Sequence, residues 1–361
     1  MLMMSKKKLA EVQSMCDLIA ELCVKWDLHN VIDFGCGKGY LSALLTLRHS
    51  INVIGLESNE STVSSAMSRF RKISKQWPVL KKRLTAPEYV VKETPGTFCV
   101  LPCTVRRDLN SDSYLEKPET YLLCGLHTCG SLGNDIAEVF VQNERNLGLC
   151  FVGCCYHYME EEFDRRQPCD GHSMFPLSAY LRRKQFFFGK NTRMLASQSV
   201  DRTLREGRKR LDVSARSLFF RALLQILLVR SILPDKTDNL ERCDPDEVRV
   251  GRIPVDLQTS FSEYAEKAGK ICGFPAAVLG PECEEVFQQF KSVEVHMKIV
   301  NLLRIVLGAC VEQVMLLDRL CYLEEQEGIA EVGLIAMFDP VVSPRSWAIC
   351  ARKLQQPVQQ S

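Results

Sequence analysis

Short continuous apolar runs alternate with longer stripes at helical spacing over the first half of this chain. That alternation predicts a mostly parallel sheet covered by helices, an α/β fold. Leu9, Val12, Cys16, Ile19, Ala20 and Cys23 form one stripe over residues 5–26. Residues 31–34 read as a buried strand, Leu41, Leu44, Leu45 and Leu47 as the face of a helix, and residues 52–57 as a second strand. A helix over 59–75 runs through Val63, Ala66, Met67, Phe70 and Ile73. Residues 77–96 read as a charged loop, 98–101 as a third strand, 121–126 as a fourth, 133–141 as a helix and 147–155 as a fifth strand.

The pattern then changes. Residues 160–304 read as a helical insertion, opening with the acids Glu160, Glu161, Glu162 and Asp164. It contains a strongly apolar helix over 216–232, a loop over 233–258 and two helices near 260–271 and 281–292. A long helix over 299–325 returns the chain to the sheet, and residues 332–338 and 347–353 read as a closing antiparallel pair. The predicted organisation is a core over 1–159, a helical lid over 160–304, the rest of the core over 305–353 and a tail over 354–361.

Three glycines mark the chemistry. Gly35, Gly37 and Gly39 sit where the first strand ends and a helix opens, so the backbone turns sharply and can approach a ligand closely. Their G-x-G-x-G spacing differs from the dinucleotide pattern G-x-G-x-x-G. Asp33, two residues before Gly35, would repel a pyrophosphate but suits the ammonium of a methionine-derived cofactor. Glu57 closes the second strand 18 residues after Gly39, where such folds hold ribose hydroxyls. Together these residues resemble motif I of the class I S-adenosylmethionine methyltransferases. That resemblance implies a Rossmann-like, seven-stranded, mostly parallel sheet with an antiparallel last strand. It also implies S-adenosyl-L-methionine as cofactor, with Cys103 and Thr104 lining the adenine.

At the ends of the fourth and fifth strands, His127 and Cys129 meet Cys154, Cys155 and His157. In this fold the fourth strand's carboxyl end faces the transferred methyl group. Three readings stand: a metal site, a general base or acceptor-orienting histidine with cysteines as small lining, or satisfied structural residues. Adjacent cysteines on a strand point to opposite faces and no C-x-x-C pair is present, so no metal is assigned. Arg345, in the turn of the closing strand pair, reads either as a contact to an anionic acceptor or as a turn-stabilising ion pair.

Further segments sharpen the resemblance: His127-Thr128-Cys129-Gly130-Ser131-Leu132, Gly153-Cys154-Cys155-Tyr156-His157, Phe175-Pro176-Leu177-Ser178, Leu316 through Leu323, and Phe338 through Arg345. With Met4-Ser5-Lys6-Lys7, they are similar to a eukaryotic methyltransferase-like family that includes the ribosomal RNA adenine dimethylase domain-containing protein. Related His-x-Cys-Gly and Cys-Cys-x-His elements occur in transfer-RNA ribose methyltransferases, which implies an RNA acceptor. Most relatives carry an additional N-terminal region. No Asn/Asp-Pro-Pro-aromatic tetrapeptide follows the fourth strand, which argues against exocyclic-amine chemistry on bases.

Composition bounds the partners. The 361 residues are 46% apolar with a net charge of +2, so any nucleic-acid contact must come from a local patch. Residues 181–210 supply one, with ten Lys or Arg against Asp201 and Glu206 and with Phe186, Phe187 and Phe188 among them. Basic residues with aromatics suit phosphate contact and base stacking; a solvated helix face over buried phenylalanines is the alternative. The lysine run near the N-terminus is either solvated or supplies one lysine to the cofactor carboxylate or an anionic substrate. Seventeen scattered cysteines fit a reducing compartment, and a cytoplasmic or nuclear location is expected. The longest apolar helix carries Arg304, Glu312, Asp318 and Arg319, so no membrane partner is expected. The rival functions are a methyltransferase acting on ribosomal or translation proteins and a silent binding module. The oligomeric state is not fixed by the sequence.

Overall fold

The computed structural model describes residues 4–84, 95–109, 119–164, 172–198, 200–232, 253–272 and 276–354. The expected loops over 85–94 and 233–252 and the tail over 355–361 lie outside the described residues. Seven strands form one sheet in the order β3-β2-β1-β4-β5-β7-β6. They are β1 (Asn30–Phe34), β2 (Asn52–Glu57), β3 (Phe98–Pro102), β4 (Tyr121–Cys129), β5 (Asn146–Cys154), β6 (Ile329–Ala336) and β7 (Trp347–Lys353). β1 to β5 pair in parallel; β7 runs antiparallel to both β5 and β6. This is the seven-stranded Rossmann-like arrangement with a reversed last strand.

Helices fill both faces because the central strands are apolar on both sides. On one face, α1 (Lys6–Trp26), α2 (Tyr40–His49) and α3 (Glu60–Leu84) bury Met15, Ile19, Leu44, Leu45 and Ala66 against Val31, Val53 and Leu122. On the other, α4 (Leu132–Gln142) and the last helix bring Ile136, Phe140, Leu316 and Leu323 against Leu123, Leu149 and Ile349. The strand order reverses between β1 and β4, so a crevice opens outside their carboxyl ends, where such sheets bind ligands.

Several boundaries differ from the sequence expectation. α3 continues to Leu84 with Pro78 inside it, and Trp77, 7% exposed, anchors the part expected to be loop. β4 runs on to Cys129 rather than ending at residue 126, because a register shift between Gly125 and Thr128 lets β4 stay paired to β5. That shift places two β4 residues, Leu126 and His127, against one of β5, Val152, a bulge that re-aims the side chains around His127.

The chain divides into two compact units, one over 1–199 and 308–361 and the other over Val200–Leu307. The second unit therefore begins at Val200, not at residue 160. Within the first unit, the short helices α5 (Ala179–Arg183) and α6 (Lys190–Leu195) follow the Phe175-Pro176-Leu177-Ser178 segment, and Phe175 and Ala196 bury against Tyr156, Met159, Val311 and Met315. The second unit has a core of its own: Phe219, Phe220, Leu223, Leu224 and Leu227 of α7 (Val200–Ile232) meet Phe261, Tyr264, Ala265 and Ala268 of α8 (Phe261–Cys272) and Cys283 and Val286 of α9 (Ala276–Phe290). α7 starts 16 residues earlier than expected and is broken at Gly207, whose φ of 72° is not helical.

The boundary between units falls within α10 (Val293–Glu324). By length and apolar composition α10 would suffice to cross a membrane, but Met315, Leu316 and Leu323 in its second half belong to the buried core of the first unit. That half also carries a buried carboxylate with three donors: Asp318 accepts from the Leu177 N–H at 2.8 Å, the Ser178 N–H at 2.9 Å and the Ser178 hydroxyl at 2.5 Å. Two backbone donors with no water available depend on it. Replacing Asp318 by Ala should cost about 3 kcal/mol of stability. The check is the urea midpoint, with Asp318→Asn, which keeps one acceptor oxygen, falling between that variant and the parent protein.

Candidate active site

All three glycines of the turn between β1 and α2 have positive φ, 63° at Gly35, 54° at Gly37 and 69° at Gly39. The residue type is required at Gly35, where an added Cβ would lie 3.2 Å from Leu132, and at Gly39, where it would lie 3.3 Å from both Ala66 and Phe98. Gly37 is open by contrast: the nearest atom to its Cβ position is the Gly35 carbonyl oxygen at 3.8 Å. A ligand can therefore approach the backbone at Gly37.

Glu57, at the carboxyl end of β2, holds this turn from the side. Its Oε2 accepts from the Gly37 N–H at 3.0 Å, and its Oε1 accepts from the Asn59 N–H at 3.0 Å. The carboxylate is only partly buried, so it retains lone pairs for ribose hydroxyls. Behind it, the Cys103 N–H bonds the Glu57 carbonyl at 2.9 Å, and Thr104 stands exposed just past β3.

Asp33 lies elsewhere than the sequence suggested. It is 2% exposed, beneath the turn, and accepts the Ser42 hydroxyl at 2.6 Å. Its carboxylate thus ties the end of β1 to the first turn of α2 and is not free at the mouth. Burial pushes its pKa up to about 7, against the hydrogen bonds from Ser42 and Cys124.

Three cations crowd the opening of α2. The Lys8 ammonium sits 4.9 Å from the centre of the Tyr40 ring, and the Arg69 guanidinium 4.8 Å from it. Arg69 also donates to the Lys38 carbonyl at 3.4 Å. Burial, then Lys38 and Arg69, lowers the Lys8 pKa. A carboxylate arriving there would relieve that repulsion.

The ends of β4 and β5 bring the other candidates together. Cys129 and Cys154 are register partners, with their sulfurs 3.2 Å apart. Cys155 leaves the strand in the left-handed region, φ 51° and ψ 43°, so its sulfur joins the same cluster, all three lying within 4.8 Å of one another. Strand alternation fails at this residue, and with it the argument that Cys154 and Cys155 must diverge. Of the trio, Cys129 is the thiol most readily ionised: the Cys154 hydrogen bond lowers its pKa, outweighing burial, with help from Cys155 and His127.

His127 is about half exposed, and its Nε2 lies 3.7 Å from the buried Glu11 carboxylate of α1. Burial pushes Glu11 up, but the His127 imidazole and the Ser343 hydroxyl outweigh it and hold that carboxyl at about 2. His157 meets Tyr158 with ring centres 4.1 Å apart and the rings tilted by 44°, and its Nδ1 is buried without a hydrogen-bond partner. The Arg345 guanidinium lies close enough to Cys155, Tyr156, His157 and Glu312 to act on each electrostatically. Its Nε and Nη1 are buried without hydrogen-bond partners. Burial raises Glu312 to about 7 despite Arg345. The candidate residues His127, Cys129, Cys155, His157 and Arg345 therefore converge.

Sequence reasoning missed Glu11, Glu161 and Glu312. Glu11 falls four residues before Met15 on the buried face of α1, a helical spacing that marks it as facing inward. Glu161 belonged to a run read as an acidic surface, yet it is 2% exposed. It accepts from the Phe188 and Gly189 N–H groups and pairs with the buried Arg193. That removes Arg193 from any surface patch.

Residues 7–162 match a family described as a methyltransferase domain. They form an S-adenosylmethionine-dependent methyltransferase domain. The chain is also 28% identical to the human probable methyltransferase-like protein 25, an alignment covering 98% of this chain and 75% of the relative. It is 27% identical to the mouse protein of the same name, covering 98% and 76%. Among solved structures it matches magnesium protoporphyrin IX methyltransferase from Synechocystis PCC 6803, with bound SAH, at 15% identity and a TM-score of 0.27, covering 40% of this chain and 55% of that one.

Sign and size follow for the buried Asp33. Its folded pKa, about 7, lies above the ordinary value of 3.8, so the proton it binds on folding stabilises the protein fully only below pH 3.8. Stability contributed this way is lost as pH rises toward 7. Asp33→Asn, which keeps an acceptor for Ser42, should flatten that part of the stability profile by up to about 4 kcal/mol. Urea midpoints measured from pH 4 to pH 8 check it.

Proposed function

We propose that this methyltransferase acts on RNA, ribosomal or transfer, with Gly35, Gly37 and Gly39 passing the cofactor along the turn and Glu57 holding its ribose. Thr104 lies beside the adenine. Lys8, already crowded by Lys38 and Arg69, takes the cofactor carboxylate, and Asp33 acts from below by fixing the turn. The methyl group is activated in the cofactor itself, so the chain's work is to align an acceptor with it and exclude water.

The observation that carries the RNA reading is the set of exposed aromatic and cationic side chains in the same unit as the site. Tyr158 is 70% exposed where its ring meets His157. Tyr180 is 57% exposed with the Lys184 ammonium 5.1 Å from its ring centre, and Phe187 is 52% exposed. Exposed rings beside cations suit stacked bases and phosphates. Phe186 and Phe188 pack against Phe175 and do not take part. Arg183 and Lys184 are exposed, whereas Arg182 pairs with Glu162 at 2.9 Å. The likeness to transfer-RNA ribose methyltransferases at His127-Thr128-Cys129-Gly130 supports the same reading. A ribose hydroxyl acceptor would lose its proton to His127 or His157, with Arg345 offsetting charge on the backbone. We place the protein inside the cell, in cytoplasm or nucleus, where such RNAs are.

Two expectations test this. Glu57→Ala should weaken S-adenosylmethionine binding about 10- to 100-fold, the loss of a charge-assisted pair of hydrogen bonds, by isothermal titration. Labelled methyl from the cofactor should enter an RNase-sensitive pool from cells lacking the gene, and His127→Ala and Gly37→Arg should abolish it. Label only in a protease-sensitive pool would make the substrate a protein. Cofactor binding with no label in either pool would make the domain a binding module.

A further inference from the structure

We infer that Cys129, Cys154 and Cys155 form a zinc site with three protein ligands and one open coordination position. The inference is independent of which acceptor is methylated. A tetrahedral zinc holds each sulfur at about 2.3 Å, which sets its thiolates about 3.8 Å apart. The three sulfurs here span that value, from 3.2 Å between Cys129 and Cys154 to no more than 4.8 Å between any two. A disulfide would need sulfurs about 2.05 Å apart and would leave the third thiol out.

Two features of the backbone serve this convergence. Cys155 adopts a left-handed conformation that a non-glycine residue rarely takes, and it brings a second sulfur from the same strand end to the cluster. Gly130, φ 60°, bonds its N–H to the Cys154 carbonyl at 3.0 Å and leaves no room for a Cβ, which would lie 3.0 Å from Tyr158 backbone atoms. The loops that follow Cys129 and Cys154 are thereby locked together.

The charge balance fits as well. Three thiolates around a divalent zinc leave one negative charge, and the Arg345 guanidinium acts on Cys155 while His127 acts on Cys129. The cluster is graded in exposure, Cys154 buried, Cys155 half-buried and Cys129 exposed. The fourth position therefore faces the exposed side, available to water or to a donor atom of the acceptor. A structural zinc site is closed by a fourth protein ligand, whereas an open position is the mark of a zinc that meets a substrate. Binding releases the thiol protons to solvent and involves no change of oxidation state.

The test uses the full chain purified under reductant and loaded with zinc sulfate. After dialysis against a weak chelator, elemental analysis should find about one zinc per chain. Cys129→Ser and Cys155→Ser should each lower it at least about tenfold, and Cys310→Ser, at an exposed position on α10, should not. Because a cysteine variant could fail to fold, cobalt(II) is also titrated into the unaltered protein. A thiolate-to-cobalt charge-transfer band with tetrahedral visible bands supports the site. No retained zinc and no such band overturns it, as does equal zinc in all three variants, or a Cys129–Cys154 disulfide found by mass spectrometry in protein purified under reductant.

Discussion

The hydrogen bond from Ser42 to Asp33 is the constraint on which the rest of this site depends. A carboxylate with 2% exposure costs several kcal/mol to desolvate unless it is protonated or bonded, and here it ties the last turn of β1 to the first turn of α2. With that joint fixed, the glycine turn has only one path, and its Gly37 N–H meets Glu57 across the gap between β1 and β2. The glycine turn is thus held by two acids in different settings. One is buried and fixes the backbone; the other is exposed enough to meet a ligand.

The acceptor end is built by a different means. β4 and β5 run parallel, and a regular pair would point His127 and Cys129 along one face with no reason to meet Cys155. The bulge after Gly125 and the left-handed turn at Cys155 break that regularity at the ends of adjacent strands. Both cost backbone free energy, and both direct side chains toward the same small volume. Backbone irregularity of this kind, at the carboxyl ends of adjacent strands, re-aims side chains where such sheets carry their sites.

What the sequence made legible follows from which physics is local. Apolar runs ending in Gly35-Cys36-Gly37-Lys38-Gly39 and in Glu57 marked the first two strands and the glycine turn, because buried parallel strands must be continuously apolar and only glycine tolerates three left-handed residues in five. The candidates at 127, 129, 155, 157 and 345 were legible as types, and the fold brings them together. The role of Asp33 was not, since sequence shows that an acid precedes the turn but not which way its carboxylate points. Nor was the burial of Glu161 with Arg193, because an acidic run looks solvated until a partner far along the chain is found. Residues 172–198, read with the insertion, belong with the first unit because Phe175 and Ala196 are held in its core by Met159 and Met315.

Methyl transfer from a sulfonium puts an unusual demand on a protein. The donor carries its own activation, so rate comes from alignment, and any strong base near the sulfonium is a competitor as much as a helper. The arrangement around His127 answers that demand. Its Nε2 faces a carboxylate that remains ionised, and Glu11 is itself held by α1 and by Ser343 from the turn that carries Arg345. The histidine is thereby oriented by two separate elements, and the same buried acid that orients it links the end of β4 to the helix that carries Lys8 to the opening of α2. That contact gives a reason for a charged residue in the buried, otherwise mostly apolar stripe of α1.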